Sequence, residues 1–227
     1  GSSPHGSPVV RRARMRVLPP HMSNPAQAPQ RPPMRRGKRL SPAMRVRLAR
    51  LLHDDPDIRV TVRIIEAPGL DAEMADATLN EVVMRRFQDI AVELGAPRTV
   101  VDAADVDAAR FGRRVAEVLP EGREVVAEHK ADDRHPTVAA ASIIAKVTRD
   151  TALDDLARRL ERRIDRELGS GYPSDAKTVA FLEAWLDRFG DLPEGTRRAW
   201  KTSKRLLADR AVKPTRLDDF TEHGPNA

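Results

Sequence analysis

The first candidates for a functional site in this sequence are carboxylates that follow two apolar stretches. Asp102 follows "RTVV", residues 98–101, and Asp132 and Asp133 come shortly after "EVVAEH", residues 124–129. If the two stretches are neighbouring parallel strands, their carboxyl ends meet at one edge of a sheet, where open α/β sheets place functional groups. Carboxylates converging there would suit a hard divalent cation, Mg²⁺ or Mn²⁺.

The same acids also fit a purely structural role, as helix caps or solvated turn residues, and their spacing alone does not separate the two. His129 and His135 flank the acidic loop, but an isolated histidine is usually a hydrogen-bonded polar residue, and neither is predicted to bind metal. The sequence contains no cysteine, which excludes disulfides and thiolate metal sites and is compatible with a cytoplasmic location. It also has no apolar run of membrane-spanning length and no pattern typical of a secretory signal, so no membrane association is expected.

A run of small residues, "TVAAASIIAK" at residues 137–146, follows the acidic loop. The side chains of Ala139, Ala140, Ala141 and Ala145 are small enough to let a helix lie close on a sheet. Such packing would hold the Asp132 loop beside Asp102, although it suits a structural helix equally well.

The aromatic residues leave several interpretations open. Tyr172 is the only tyrosine and lies in the glycine-rich turn "GSGYPSD", residues 169–175. Its ring either packs on the next helix or is exposed and stacks on a base or a sugar. Trp185 has helical spacing with neighbouring phenylalanines and is predicted to be a core residue. Trp200 precedes "KTSKR" and is either a core anchor or part of a surface that faces phosphates.

Hydrophobic periodicity and capping residues predict the elements that must position these side chains. Ser41 and Asp107 are predicted helix caps, and residues 211–227 a loose tail. Strand and helix alternate over residues 98–150, which predicts parallel pairing with crossovers and therefore an α/β fold. The predicted helices cover residues 42–52, 71–94, 107–119, 137–168, 176–189 and 195–208, and the predicted strands residues 58–65, 98–101 and 124–129.

The charges are segregated along the chain. Residues 1–50 contain twelve of the 40 basic residues and none of the 34 acidic ones, so the remainder holds 28 basic against 34 acidic residues, a net charge of −6. Nine of the 18 prolines also fall in residues 1–50. We therefore predict that residues 1–37 are disordered, either as a solvated tail or as an arm attracted to nucleic acid phosphates. The tail is favoured, because no aromatic residue alternates with the arginines to stack on bases.

Four segments together resemble one known family, and "KRLSP" at residues 38–42 and "LNEVV" at residues 79–83 add to the likeness. The family is ribonuclease HII, type 2 ribonuclease H, of the archaeal kind, and the resemblance extends over about residues 38–207. The four segments are "VVDAADVDAARFG", "EHKADDRHPTVAAASIIAKVTRD", "GSGYPSDAKTVAFLEAW" and "AWKTSKR".

The resemblance implies a ribonuclease H-like α/β fold, with a mixed sheet flanked by helices and a helical C-terminal part. It implies an endonuclease that cleaves the RNA strand of RNA–DNA hybrids, and ribonucleotides embedded in DNA, with two divalent ions, Mn²⁺ or Mg²⁺. A cytoplasmic monomer that acts in DNA replication and repair is expected. Asp102 and Asp132 match catalytic metal ligands, with Asp133 a bystander, and Tyr172 matches a tyrosine that contacts the sugar at the RNA–DNA junction. Further substrate-groove positions are Lys38, Ser142 and Lys146.

The sequence departs from the family pattern at its beginning. The family opens with an Asp-Glu-Ala-Gly motif that supplies two more metal ligands, and residues 1–37 contain no acid. We therefore expect the N-terminal strands to be missing or replaced, for example by an out-of-frame segment, with the family domain over residues 38–210. The expected consequence is impaired cleavage. The alternative is a catalytically inactive protein that binds hybrids or other nucleic acids through its basic arm.

Overall fold

The computed structural model describes residues 40–212, which form an α/β arrangement of mostly helical character. The expectations for residues 1–37, for Lys38 and for all but the first two residues of the 211–227 tail lie outside this range. The elements within it are α1 (Pro42–Asp54), α2 (Ala67–Glu73), α3 (Leu79–Leu94), β1 (Arg98–Asp102), α4 (Ala108–Ala116), β2 (Glu124–Glu128), a 3₁₀ turn (Ala131–Asp133), α5 (Pro136–Ile164), α6 (Ala176–Phe189) and α7 (Lys201–Val212).

These elements divide into two compact units. One, the sheet unit, comprises residues 40–64 and 76–151, and the other, the helical unit, comprises residues 65–75 and 152–212. Helix α5 contributes its first half to the sheet unit and its second half to the helical unit.

The sheet unit is built on a strand–helix–strand crossover. β1 and β2 pair in parallel, with Arg98 opposite Glu124 and Asp102 opposite Glu128, so the predicted parallel pairing is confirmed. Helix α4 connects the two strands and packs on β2. At Gly112 this contact leaves little room, because a Cβ atom there would lie 3.0 Å from the Cβ of Ala127.

Two apolar clusters stabilise the sheet unit. In the first, Phe111 and Val115 of α4 pack against the strands and α3, and the ring of Phe111 meets that of Phe87 edge to face at 5.2 Å. In the second, Ile143 and Ile144 of α5 pack against α1 and Val60. The sheet therefore has a core between α3, α4 and the strands, and α5 has a separate one.

The predicted continuous helix over residues 71–94 is wrong, because the structure has two helices there, α2 and α3. Thr78 begins α3 with a capping box: its hydroxyl accepts from the Glu81 N–H, and the Glu81 carboxylate accepts from the Thr78 N–H at 2.7 Å. A capping box satisfies helix N–H groups that would otherwise lack partners, so it favours a helix start at this point. The apolar periodicity of the sequence continues between α2 and α3, so it does not show that the helix is interrupted there.

The predicted strand over residues 58–65 is also wrong. Only Arg59 forms an isolated bridge, and the rest of the segment is irregular. The Arg59 guanidinium donates to the Glu93 carbonyl at 2.8 Å, and the Thr61 hydroxyl donates to the Glu93 carboxylate at 3.1 Å. Val60 is buried, so the alternation did indicate one buried face, but the segment attaches to the end of α3 through side chains rather than through a strand ladder.

The helical unit buries the aromatic side chains of α6. Trp185 and Phe181 are almost inaccessible and pack with leucines of α5 and α7, which confirms the prediction of Trp185 as a core residue. Trp200 is half-buried beneath the guanidinium of Arg197. The observed helix α7 begins at Lys201, whereas the sequence predicted helical structure from residue 195.

A single carboxylate fixes the segment that leads into α7. Asp71 of α2 accepts hydrogen bonds from Arg197 Nε and from the Ala199 N–H, each at 3.0 Å. Burial opposes ionisation, but the Ala199 N–H and the Arg197 guanidinium outweigh it and hold the pKa of Asp71 below its ordinary value of 3.8. The ionised carboxylate is therefore the form that the fold stabilises.

Replacing Asp71 by asparagine is expected to lower the free energy of unfolding at pH 7 by about 2 kcal/mol, because Arg197 loses its charged acceptor. A depressed pKa contributes stability above the unfolded value, and that contribution is lost as the pH falls through the folded pKa. The difference from the unsubstituted chain should therefore shrink below about pH 3.8. Urea unfolding at several pH values measures this difference in the free energy of unfolding. Asp154→Asn, at an exposed position of α5, is the control, and a pH-independent difference would contradict the argument.

Candidate active site

The carboxyl edge of the sheet brings Asp102 and the Asp132 loop together. Asp102 is the last residue of β1, and its register partner Glu128 is the last residue of β2. The Ala131 N–H donates to Asp102 Oδ1 at 3.2 Å, and the Ala103 N–H donates to the Glu128 carbonyl at 2.9 Å. A direct hydrogen bond therefore ties Asp102 to the residue that precedes Asp132.

The loop that carries Asp132 is a tight turn with a buried anchor. Lys130 takes a left-handed conformation (φ 56°, ψ 39°) and reverses the chain at the end of β2. The Asp133 N–H then donates to the Lys130 carbonyl at 3.0 Å, and the His135 N–H donates to the Ala131 carbonyl at 2.8 Å. Ala131 is fully buried, so the turn cannot shift without exposing it. Within residues 40–212 the half-buried Asp132 carboxylate has no hydrogen-bond or ion-pair partner, which leaves it available to a ligand.

Glu128 is a residue of this edge that the sequence interpretation missed. Its carboxylate accepts from Arg134 Nη2 at 2.6 Å and lies 3.3 Å from His135 Nε2. These contacts attach the residues that follow Asp132 to the end of β2. The sequence signal was the acid at the end of "EVVAE", but only the pairing register places it opposite Asp102.

The small-residue run does not pack as expected. Ala139 is buried, but Ala141 and Ala145 are exposed on the surface of α5. The buried face of the helix consists instead of Val138, Ala139, Ile143 and Ile144, and its isoleucines contact α1 and Val60. The alanine side chains therefore do not bring α5 close to the sheet as a set, and the loop owes its position to hydrogen bonds and to Ala131.

Two predicted substrate-groove residues, Ser142 and Lys146, are exposed on the part of α5 that belongs to the sheet unit. The Lys146 ammonium donates to Asp150 Oδ1 at 3.1 Å, and Arg149 donates to the same oxygen at 3.2 Å. Burial raises the pKa of Asp150, but these hydrogen bonds outweigh it and lower that pKa overall. The Lys146 charge is thus shared with an acid of its own helix.

Tyr172 lies in the helical unit, in a turn held by hydrogen bonds from its backbone. The Ser170 N–H donates to Asp175 Oδ2 at 2.7 Å, and the Gly171 N–H donates to the Thr178 hydroxyl at 3.0 Å. Asp175 also caps α6 by accepting the Lys177 N–H, and hydrogen bonds from Ser170 and Lys177 lower its pKa, with Ser170 contributing most. The Tyr172 side chain remains 49% exposed at the end of this turn. Its predicted role at a sugar stays a prediction.

Comparison with known proteins identifies the family. The sequence profile described as Ribonuclease HII matches residues 34–203 of this chain. The chain belongs to the ribonuclease HII family.

Individual relatives agree with this assignment. The ribonuclease HII of Methanothrix thermoacetophila is 45% identical over 144 residues, which cover 63% of this chain and 66% of that protein. The ribonuclease HII of Methanoregula boonei is 39% identical over 175 residues, which cover 77% of this chain and 79% of that protein. The crystal structure of the ribonuclease H2 from Pyrococcus horikoshii OT3 is similar in fold, with a TM-score of 0.69 at 34% identity, over 78% of this chain and 81% of that one. These comparisons confirm the predicted family and the ribonuclease H-like α/β class.

Residues 40–212 of this ribonuclease HII family member do not form a complete metal site. Among residues 40–212 there is no group of three or more aspartate, glutamate or histidine side chains that could hold a metal ion. Asp102 and Asp132 offer carboxylate oxygens at the sheet edge, while the Glu128 carboxylate is neutralised by Arg134. The residues present there do not by themselves fit the two divalent ions that the resemblance implies.

The described helices were also compared with the length and hydropathy of membrane spans. Over residues 40–212, none is both long enough and apolar enough to cross a bilayer.

Proposed function

We propose that this chain is an endonuclease that hydrolyses the RNA strand of RNA–DNA hybrids and cuts 5′ of ribonucleotides embedded in DNA. The observation that carries the proposal is the hydrogen bond between Asp102 and Ala131, which sets the Asp132 loop against the carboxyl end of β1. Membership of the ribonuclease HII family supports the substrate class.

Asp102 and Asp132 are the proposed protein ligands of divalent ions, Mn²⁺ or Mg²⁺, which prefer carboxylate oxygens. When bound at a nuclease site, such ions activate water and stabilise the leaving oxygen. Asp102 uses Oδ1 to accept the Ala131 N–H, and no residue in the range 40–212 binds its Oδ2. Any further protein ligands would lie outside that range, since the described residues hold no larger cluster.

The remaining proposed roles concern substrate contact. Tyr172 would stack on the sugar at the RNA–DNA junction, where its half-exposed ring can reach a ligand. Ser142 and Lys146 would face the sugar–phosphate backbone, with Lys146 exchanging its bond to Asp150 for one to a phosphate. Lys38, outside the described residues, keeps its proposed place in the substrate groove.

A second candidate function is hybrid binding without cleavage. It is favoured by the absence of a three-acid cluster among residues 40–212 and by the first 53 residues, which contain no aspartate or glutamate. In that case the basic N-terminal arm would supply non-specific attachment to phosphates.

One experiment separates the two functions. Purified full-length chain is mixed with Mn²⁺ and a labelled duplex that contains a single ribonucleotide, with EDTA and an all-DNA duplex as controls. Metal-dependent cuts 5′ of the ribonucleotide support the nuclease. Binding that weakens steeply with salt, without cuts, supports the second function. A chain that neither cuts nor binds would contradict both.

A further inference from the structure

The loop between β1 and α4 displays an apolar side chain close to Asp102. Val106, four residues after Asp102, is 91% exposed, more than any other large apolar side chain of residues 40–212. Single exposed apolar residues are common on protein surfaces, so the exposure alone carries no argument. The argument rests instead on the bonds that fix the loop and on its position near Asp102.

Several bonds hold this loop in one conformation. The Arg110 guanidinium donates to both carboxylate oxygens of Asp105, at 2.6 and 2.8 Å, and the Asp107 N–H donates to Asp105 Oδ1 at 3.2 Å. Asp107 in turn caps α4 by accepting the Arg110 N–H at 2.9 Å. The loop therefore holds the Val106 side chain in water at a fixed place, where its apolar surface gains free energy only if a partner covers it.

A contact from the residue that follows β2 places Val106 at the candidate active site. His129 Nε2 lies 3.2 Å from the Val106 carbonyl oxygen, and His129 directly follows Glu128, the register partner of Asp102. The tip of the loop thus borders the same carboxyl edge as Asp102 and the Asp132 loop.

Exposed cationic side chains lie near Val106, both at the start of α4 and in the segment that follows β2. Two nearby acids, Asp105 and Glu128, are paired with Arg110 and Arg134. Asp107, next to Val106, is exposed, accepts the Arg110 backbone N–H and forms no ion pair among residues 40–212. Both arginine side chains are more than half exposed, and Lys130 is exposed as well. A nucleic acid at the tip therefore has exposed cations within reach on both segments, and it also approaches the carboxylate of Asp107.

We propose that Val106 is a substrate-positioning residue that packs on sugar faces in the minor groove of the duplex bound at Asp102. The inference rests on the proposed function. An aliphatic side chain gains nothing from a phosphate, whereas sugar faces are apolar, and the shallow minor groove of an A-like duplex gives access to them. Apolar side chains do enter the minor groove in other proteins, where they insert between base steps. Val106 would set the register of the strand, and the flanking cations would hold its phosphates.

The test compares Val106→Ser with a matched control, Val118→Ser. Val118 is also exposed and belongs to the same unit, but it follows α4 at the other end of the crossover. Fluorescence anisotropy measures the affinity of each full-length variant for a labelled RNA–DNA hybrid in EDTA, so no cleavage occurs. We expect Val106→Ser to weaken binding about tenfold and Val106→Leu to keep it, as the loss or retention of one apolar contact requires. Val118→Ser should bind within about twofold of the unsubstituted chain.

Salt dependence distinguishes this role from a general electrostatic effect. Val106→Ser removes no charge, so the slope of log affinity against log salt should stay unchanged, whereas Lys130→Gln should reduce it by about one. The melting temperature of Val106→Ser should equal that of the unsubstituted chain, because its side chain is almost fully exposed. Equal binding by Val106→Ser, equal weakening by Val118→Ser, or a lower melting temperature would each overturn the inference while leaving the proposed function in place. A chain that binds no hybrid at all would overturn both.

Discussion

Replacing Asp102 by asparagine is expected to reduce metal-dependent cleavage on the order of 1,000-fold. The proposed ligand loses its negative charge, and removal of one group from a site that acts as a unit costs most of the rate. The fold should be preserved, because the amide oxygen of asparagine can still accept the Ala131 N–H that Asp102 Oδ1 accepts now. Single-turnover cleavage of a duplex with one ribonucleotide, at saturating Mn²⁺, measures the effect.

Two further variants make this result specific. Asp89→Asn removes the same charge from an exposed position of α3 in the same unit and should leave the rate within about twofold. Asp102→Ala removes the acceptor as well as the charge, and should lower the free energy of unfolding by about 1 kcal/mol where Asp102→Asn does not. If Asp102→Asn cleaved as fast as the unsubstituted chain, Asp102 would not be a ligand of the catalytic metal ions. Equal losses in Asp89→Asn would assign the effect to overall charge.

Local patterns predicted the part of the site that local structure creates. An apolar run, a helix and a second apolar run predicted the crossover, and a crossover places the carboxyl ends of both strands at one edge. Asp102 could therefore be assigned to this edge from the sequence alone. The caps at Ser41 and Asp107 were predicted in the same way, because each satisfies helix N–H groups within a few residues of itself.

Competition between local signals explains the error in the long helix. The apolar periodicity over residues 71–94 fits one helix, but Thr78 and Glu81 form a capping box that starts a new one. Both signals are present in the sequence. The box prevails because Glu81 and Thr78 exchange hydrogen bonds that a continuous helix would not provide, and the Thr78 bonds lower the pKa of Glu81 accordingly.

Tertiary contacts explain what no local pattern could predict. Residues 58–65 alternate like a strand, yet the segment bonds to Glu93, about thirty residues further along the chain. The place of Glu128 opposite Asp102 depends on the register of two strands, and a shift of one residue would turn its side chain to the other face. The packing face of α5 was misassigned for a similar reason: small residues permit close packing, but only the partner helix determines which face is buried.

Replacing Phe111 by alanine is expected to lower the free energy of unfolding of the sheet unit by about 4 kcal/mol. The Phe111 side chain is only 1% exposed, and its loss would leave a cavity between α3, α4 and the strands. The edge-to-face contact with Phe87 would be lost as well, which adds to the cost of the cavity. Native-state hydrogen exchange of β1 and β2 amides measures the effect within this unit.

Phe189→Ala is the matched control for Phe111→Ala. Phe189 is 38% exposed at the end of α6 in the helical unit, so its truncation removes less buried surface and should leave β1 and β2 amide exchange unchanged. Protection of Asp102 and Ala131 amides should fall together in Phe111→Ala, because the Asp132 loop is bonded to the end of β1. If Phe111→Ala lowered the free energy of unfolding by less than about 1 kcal/mol, neighbouring side chains would have moved to fill the cavity. Loss of protection in β1 without loss at Ala131 would mean that the loop holds its place without the sheet, contrary to the geometry proposed for the active site.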